Sequence, residues 1–425
     1  MIIKKYSSIN GTTSVPGDKS ISHRGVMLGA MANGTTSITG FLNGADCLAT
    51  IDCFKKLGVD IEMSPEIIKV HGKGMHGFTK PTSTLYTANS GTTTRLMSGI
   101  LAGQPFECNI DGDASIRKRP MNRIATPLTL MGASFSSEYC PMTVRGGTLT
   151  GIDYAMPVAS AQVKSALILA GLYANGTTVI HEPAKSRDHT ERMLASMGAN
   201  IIVSDNCVTL HKTDVLSPLD IAVPGDISSA AFLIVAALIM PNSNITIKNV
   251  GVNPTRTGLL SVLKDMNANI ALNNCHTTNN EPVADINVQT SKLLSTTIGG
   301  DIIPSLIDEI PIIAVAAAFA KGRTVIRDAK ELKVKESDRI NTVVTELKRG
   351  GVDITATDDG MIIEGNQNLQ INGCDFVSYG DHRIAMSAAV LAQMSNSECT
   401  IDDTSCIDVS FPGFFDIFDK LSDNN

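Results

Sequence analysis

Six times along the chain, a helix-like run of small and apolar residues gives way to a turn and then to a strand-like phrase centred on isoleucine. The runs are VMLGAMA, LMSGILA, ALILAGLYA, AAFLIVAALIM, IIAVAAAFA and MSAAVLAQM. The phrases after them are NGTTSITG around Ile38, QPFECNID around Ile110, NGTTVIHE around Ile180, NSNITIKN around Ile247, KGRTVIRD around Ile326 and NSECTIDD around Ile401. Successive isoleucines lie 72, 70, 67, 79 and 75 residues apart, so six copies of one supersecondary unit is the economical reading. A second phrase follows each of the first five: LGVDI at Gly58, MGASF at Gly132, MGANI at Gly198, MNANI at Asn267 and GGVDI at Gly351. Glycine there suits a left-handed helix C-cap, and asparagine is the next best residue for it. The sixth copy falls near Leu421. Each unit reads as helix, strand, helix, strand with further short strands, an α/β class with repeats too long for a solenoid.

Pro224-Gly225-Asp226-Ile227-Ser228-Ser229 echoes Pro16-Gly17-Asp18-Lys19-Ser20 at a distance of 208 residues. The echo divides the six units into three and three, and a chain of 425 residues suits two domains of about 200. One domain is expected over 16–226 and the other over 1–15 with 227–425, with crossovers near 14–18 and 222–226. The strand before Pro16 is then expected to join the C-terminal half.

Apolar residues make up 43% of the chain and charged residues 18%, an ordinary globular balance that argues against disorder. The net charge of -7 argues against a nucleic-acid partner, so an anion site would be a local cluster and its ligand small. Nine scattered cysteines without a CxxC pair read as free thiols of a reducing cytoplasm. The opening MIIKKYSSING has no signal-peptide or transit character. The longest apolar runs, 230–240 and 310–320, span 11 residues each, which suits core helices and no membrane span.

Candidate chemistry concentrates near helix starts. In Pro16 to Arg24 a Pro-Gly-Asp turn precedes Lys19, Ser20 and Arg24; Asp18 can cap the helix, and its free N–H groups add positive potential. Ala88 to Arg95 is a hydroxyl-rich loop with Gly91 and Arg95, without the GK[ST] of a P-loop. Ile116 to Pro120 sets Arg117, Lys118 and Arg119 before a helix that Pro120 is expected to open. Ser160-Ala161-Gln162 offers hydroxyl and amide groups, and Ser186 to Glu191 brings Arg187. Asp308 and Glu309 sit between apolar runs, where burial raises a carboxyl pKa and suits proton transfer. Lys333 to Arg339 alternates in charge around Lys335 and Glu336, and Tyr379 to Arg383 places Asp381, His382 and Arg383 at another helix start. Taken singly, each has a plain alternative: a capped helix, a solvated basic face or a structural histidine. Their recurrence in both halves, with acids close by, points to a small ligand with several negative charges held at helix N-termini.

The motifs PGDKSISHR, NSGTTTR, RKRP, ASAQVKSA, SRDHTERM, IDEIP, VKESDR and DHRIAM occur in this order over essentially the whole chain. On them the sequence resembles the 5-enolpyruvylshikimate-3-phosphate synthase (3-phosphoshikimate 1-carboxyvinyltransferase) family, and PGDKSISHR with ASAQVKSA is more similar to the branch that includes glyphosate-tolerant bacterial enzymes than to the plant and enteric branch. The resemblance implies an inside-out α/β barrel fold, two domains of three βαβαββ repeats closing on the ligands. It also implies transfer of the enolpyruvyl group of phosphoenolpyruvate to the 5-hydroxyl of shikimate 3-phosphate, without a cofactor. Shikimate 3-phosphate would meet Lys19, Ser20, Arg24, Ser160, Ala161, Gln162, Arg187, Asp308 and Lys335. Phosphoenolpyruvate would meet Lys19, Gly91, Arg119, Gln162, Arg339 and Arg383. Asp308 would be the base for the hydroxyl proton, and Glu336, with Lys19 or His382, would handle the proton at the methylene carbon. The expected protein is a cytoplasmic monomer, inhibited by glyphosate, with no metal and no nucleic-acid or membrane partner. Two positions depart from many members of the family: Val409, where a lysine is usual, and Glu331, where some carry asparagine. The related transferase acting on UDP-N-acetylglucosamine is disfavoured by Lys19-Ser20 in place of Lys-Asn and by the lack of a cysteine in a Gly-rich loop. A non-catalytic anion-binding protein on the same fold would be expected to lack Asp308 or Glu336, and both are present.

Overall fold

The computed structural model describes residues 1–422. By internal contacts the chain divides into unit A, comprising Met1–Pro16, Pro224–His276 and the chain from Pro282 onward, and unit B, comprising Gly17–Val223 with Thr277–Glu281. The boundaries thus fall at 16 and 223 where 15 and 226 were expected, and 277–281, expected with the C-terminal half, groups with unit B. There Asn279 accepts from the Ala222 N–H at 2.9 Å and donates to the Asp220 carbonyl at 2.6 Å, contacts with no sequence signal.

Twelve helices occur among the described residues. Unit B holds α1 (Lys19–Met31), α2 (Ala45–Lys56), α3 (Gly91–Ala102), α4 (Asn122–Met131), α5 (Ala161–Gly171) and α6 (His189–Ser196). Unit A holds α7 (Ile227–Ile239), α8 (Gly258–Asp265), α9 (Ile310–Ala318), α10 (Arg339–Arg349), α11 (His382–Ala392) and α12 (Phe414–Ser422). The six apolar runs are α1, α3, α5, α7, α9 and α11, and each isoleucine phrase is a strand. Gly58, Gly132, Gly198, Asn267 and Gly351 all have positive φ, between 66° and 116°, as their place after a helix requires. Helix α4 begins at Asn122, two residues later than a first-turn Pro120 would place it; a short 3-10 turn over 116–118 takes up Arg117 and Lys118 instead, with Arg119 extended just after it.

Among the described residues, five sheets of four strands and one of two carry the repeats. In all six, a leading strand runs parallel to the isoleucine strand, and in the larger five the next strand is antiparallel to it. The leading strands of the first sheet in each half are exchanged. Strand Asn10–Ser14 pairs with Asn244–Lys248 of unit A, as expected, and Ile221–Ala222 pairs with Ile38–Thr39 of unit B. The sixth repeat ends on α12, and its short sheet gains an antiparallel bridge from Ile2 to Thr400. At the first crossover a Cβ on Gly17 would sit 1.9 Å from the Gly40 carbonyl oxygen, so only glycine lets these backbones approach. The apolar faces of these elements form one hydrophobic core per unit, and every residue of α7 and α9 is buried. No helix among the described residues is long and apolar enough to cross a membrane.

Candidate active site

In unit B the site residues cluster at the starts of α1, α3 and α5. Asp18 caps α1 by accepting from the Ile21 N–H at 2.9 Å, which sets Lys19 and Ser20 in the first turn. The Lys19 side chain is 22% exposed and its Nζ pairs with Asp46 Oδ2 in the first turn of α2. Ser20 Oγ accepts from Arg187 Nη1 at 3.4 Å, and the Ser20 carbonyl accepts from Arg24 Nη1 at 3.0 Å. Arg24 is buried, donating through Nε to Thr190 Oγ1 (2.7 Å) and through Nη2 to Ser165 Oγ (2.9 Å). It therefore lies beneath the first turn, deeper than a ligand-facing arginine read from the motif.

Around the start of α3, a Cβ on Gly91 would lie 2.9 Å from Arg95 Nη1 and 3.2 Å from Arg119 Nη1, so two guanidinium groups flank the bare Cα. Arg119 is held by Asn89 Oδ1 at 2.8 Å and Ser115 Oγ at 3.1 Å. Gln162 accepts from Arg95 Nη1 at 2.5 Å and donates to Thr92 Oγ1 at 3.0 Å, joining the starts of α3 and α5. Ser160 caps α5 through the Val163 N–H, and Ala161 opens that helix. Lys164 of the same motif turns inward, 2.7 Å from both Glu182 and Glu191.

A hydroxyl chain ties α1 to the Gly91 loop. Thr93 Oγ1 donates its one proton to Ser90 Oγ at 2.7 Å, so the one proton of Thr50 Oγ1 goes to Thr93, 2.7 Å away, or to the Asp46 carbonyl, 3.4 Å away. His23 Nδ1, 2.7 Å from Thr50, is by the same logic the donor to Thr50. Burial, with Lys19 and Arg24 nearby, holds the pKa of His23 well below the ordinary value, which keeps the imidazole neutral.

In unit A the site is built on one guanidinium. Arg339, 1% exposed, opens α10 and extends Nε to Asp381 Oδ2 (2.9 Å), Nη2 to Glu336 Oε2 (2.5 Å) and Nη1 to Asp308 Oδ1 (3.4 Å). Burial alone would weaken its charge, but the carboxylates of Asp381, Glu336 and Asp308 raise its pKa further. Asp381 is fully buried, and although burial favours its proton, Arg339 lowers its pKa below the usual carboxylate value. It also caps α11 by accepting from the Arg383 N–H at 3.0 Å, and His382 opens that helix. Lys335 Nζ lies 3.1 Å from Asp308 Oδ1. Arg383 Nη1 donates to the Asp308 carbonyl at 2.8 Å. Lys335 and Arg339 both lie beside Asp308, so its surroundings are more polar than the apolar runs around it suggest.

The structure thus gathers Lys19, Ser20, Arg24, Gly91, Arg119, Ser160, Ala161, Gln162 and Arg187 in unit B, and Asp308, Lys335, Glu336, Arg339, His382 and Arg383 in unit A. Sequence reasoning missed the buried acids that hold the cations, Asp46 on Lys19 and Asp381 on Arg339. Asp381 carried a faint signal as an acid directly before a His-Arg helix start; Asp46 carried none.

Residues 3–418 match the family model described as EPSP synthase (3-phosphoshikimate 1-carboxyvinyltransferase). The 3-phosphoshikimate 1-carboxyvinyltransferase of Thermoanaerobacter sp. (strain X514) is 54% identical over 422 residues, covering 99% of each chain. That of Bacillus pumilus (strain SAFR-032) is 52% identical over 426 residues, again covering 99% of each. The solved EPSP synthase of Acinetobacter baumannii superposes with a TM-score of 0.87 at 44% identity, covering 99% of this chain and 97% of that one.

Proposed function

The chain belongs to the EPSP synthase (3-phosphoshikimate 1-carboxyvinyltransferase) family and transfers the enolpyruvyl group of phosphoenolpyruvate to the 5-hydroxyl of shikimate 3-phosphate, releasing phosphate; on that premise we propose how its residues divide the work. The observation that carries the proposal is the Arg339 fork, which fixes Asp308 on one nitrogen and Glu336 on another while Asp381 anchors the third.

Addition needs a base at the 5-hydroxyl and an acid at the methylene carbon; elimination reverses both proton transfers. Asp308 takes the hydroxyl proton as the oxygen bonds to the C2 carbon of phosphoenolpyruvate. Glu336, with Lys19 or His382, delivers the proton to the methylene carbon. Loss of that proton and departure of phosphate from the tetrahedral intermediate restore the double bond. Lys335 and Arg339 stabilise charge as it moves through Asp308.

Lys19, Ser20, Ser160, Ala161, Gln162 and Arg187 hold shikimate 3-phosphate, and Arg24 supplies charge from beneath Ser20. Lys335 joins them at the reacting end. Lys19, Gly91, Arg119, Gln162, Arg339 and Arg383 hold phosphoenolpyruvate. We further propose that glyphosate takes the phosphoenolpyruvate groups, since Gly91 leaves open the space that a Cβ would close against Arg95 and Arg119. An inhibition curve that stays flat to high concentration overturns this. The protein acts as a cytoplasmic monomer in this reading.

The central test is Asp308→Ala. Turnover, followed as phosphate release, is expected to fall about 10²- to 10⁴-fold while calorimetry still detects both ligands. Unchanged turnover removes Asp308 from the mechanism.

A further inference from the structure

Beneath Arg383 lies a buried polar network whose other members the mechanism does not use. Arg256 Nη2 donates to Asp226 Oδ1 at 3.2 Å and to Ser228 Oγ at 2.7 Å. Ser228 Oγ donates in turn to Glu309 Oε1, and that same oxygen lies 3.5 Å from Arg383 Nη1. Arginine can only donate, so the single proton of Ser228 must go to Glu309, and the direction of every link is determined. One hydroxyl therefore joins two ion pairs, Arg256 with Asp226 and Arg383 with Glu309. Arg256, Asp226, Ser228 and Glu309 are all buried.

Glu309 accepts from both Ser228 and Arg383 on one oxygen, while its Oε2 is buried with no hydrogen-bond partner. A buried acceptor left this way is destabilising, so stability alone is a poor reason for a carboxylate here. Its geometry offers a better one. The Glu309 carboxylate and the Asp308 carbonyl hold the same Arg383 nitrogen from adjacent residues, and Glu309 is itself fixed through Ser228 to the cap of α7.

We propose that Glu309, braced by Ser228 and Arg256, is a positioning residue that sets the Arg383 guanidinium for the phosphoenolpyruvate anion. The inference rests on Arg383 being a phosphoenolpyruvate ligand. Without Glu309, Arg383 keeps its bond to the Asp308 carbonyl but loses the second direction that orients the fork. The loss falls chiefly on one substrate, because Arg256, Asp226, Ser228, Glu309 and Arg383 lie outside the shikimate 3-phosphate set and the bond from Arg383 to the Asp308 carbonyl is kept.

The test is steady-state kinetics with each substrate varied in turn. Glu309→Ala is expected to raise KM for phosphoenolpyruvate about tenfold to a hundredfold, with kcat changed less and KM for shikimate 3-phosphate unchanged. Ser228→Ala should give a smaller rise of the same kind. Glu309→Gln, which retains an acceptor for both donors, should restore KM to within a few-fold of the parent. Arg383→Ala serves as the control. If it raises KM for phosphoenolpyruvate and Glu309→Ala does not, the positioning role is overturned while Arg383 stays a ligand. If Arg383→Ala leaves that KM unchanged, the ligand assignment falls and the proposal with it. Equal loss in both substrates, following a drop in Tm and not rescued by Glu309→Gln, makes Glu309 a structural residue and also overturns the proposal.

Discussion

The starts of α1 and α7 have the same phrase and opposite contents. Both helices span 13 residues and both are capped by the aspartate of a Pro-Gly-Asp turn. Counting from that aspartate, the first, fifth and sixth residues are Lys19, His23 and Arg24 in α1 and Ile227, Ala231 and Phe232 in α7. One helix thus presents cations at its positive end, and the other is buried along its whole length. The serine at the second position shows the divergence most directly. Ser20 stands in the first turn of α1 beside Arg187, while Ser228 is sealed between Arg256 and Glu309. The turn, the cap and the exchange of leading strands are common to both, so the phrase specifies where the chain crosses and where a helix begins. Chemistry is written over it by a few side chains at fixed offsets.

The strongest way to break this comparison is to exchange the residues at the first position. Ile227→Lys puts an ammonium among apolar residues of the unit A core, and an uncompensated buried charge costs about 3–5 kcal/mol. A fall in Tm with loss of cooperative unfolding is expected; a variant as stable as the parent would mean that α7 tolerates the α1 pattern. The reverse exchange should spare the fold. Lys19 is partly exposed and is proposed to serve the ligands with its charge, so Lys19→Met is expected to lower kcat/KM about 10²- to 10³-fold, with Tm nearly unchanged. A large stability loss without a kinetic one would move Lys19 from the site to the scaffold, as a partner for Asp46.

The same contrast explains how much was legible in the sequence. Helix runs, isoleucine strands and left-handed caps follow from local preference repeated six times, and repetition separates a weak signal from noise. The cations at helix starts were legible for the same reason. Their buried acids were not, because Asp381 meets Arg339 from 42 residues away and Asp46 meets Lys19 from the next helix. Such pairs are made by packing, and no spacing rule within one element reports them. Pro120 shows the opposite failure. Its preference for a first helical turn was clear, yet the chain spent residues 116–118 on a 3-10 turn and began α4 later.

The smallest and sharpest test is at the fifth position, where α1 has a titratable group and α7 has Ala231. His23 is buried, and desolvation with the charges of Lys19 and Arg24 depresses its pKa from the ordinary 6.5. Above about pH 6.5 both folded and unfolded chains hold it neutral, and it adds no pH dependence. As pH falls below that value the unfolded chain binds a proton that the folded chain refuses. Stability therefore drops by up to about 1.4 kcal/mol per pH unit until the depressed folded pKa is reached. His23→Asn keeps a donor near the Nδ1 position for Thr50 but cannot titrate. Its cost at pH 7.5 includes the cavity it leaves, so the informative quantity is the difference between parent and variant across pH. That difference should shrink by about 1 kcal/mol between pH 6.5 and 5.5 in denaturant unfolding, because only the parent loses stability there through this group. Parallel curves would mean that the folded chain takes up this proton as readily as the unfolded one, and the neutral imidazole that burial implies beneath the start of α1 would be refuted.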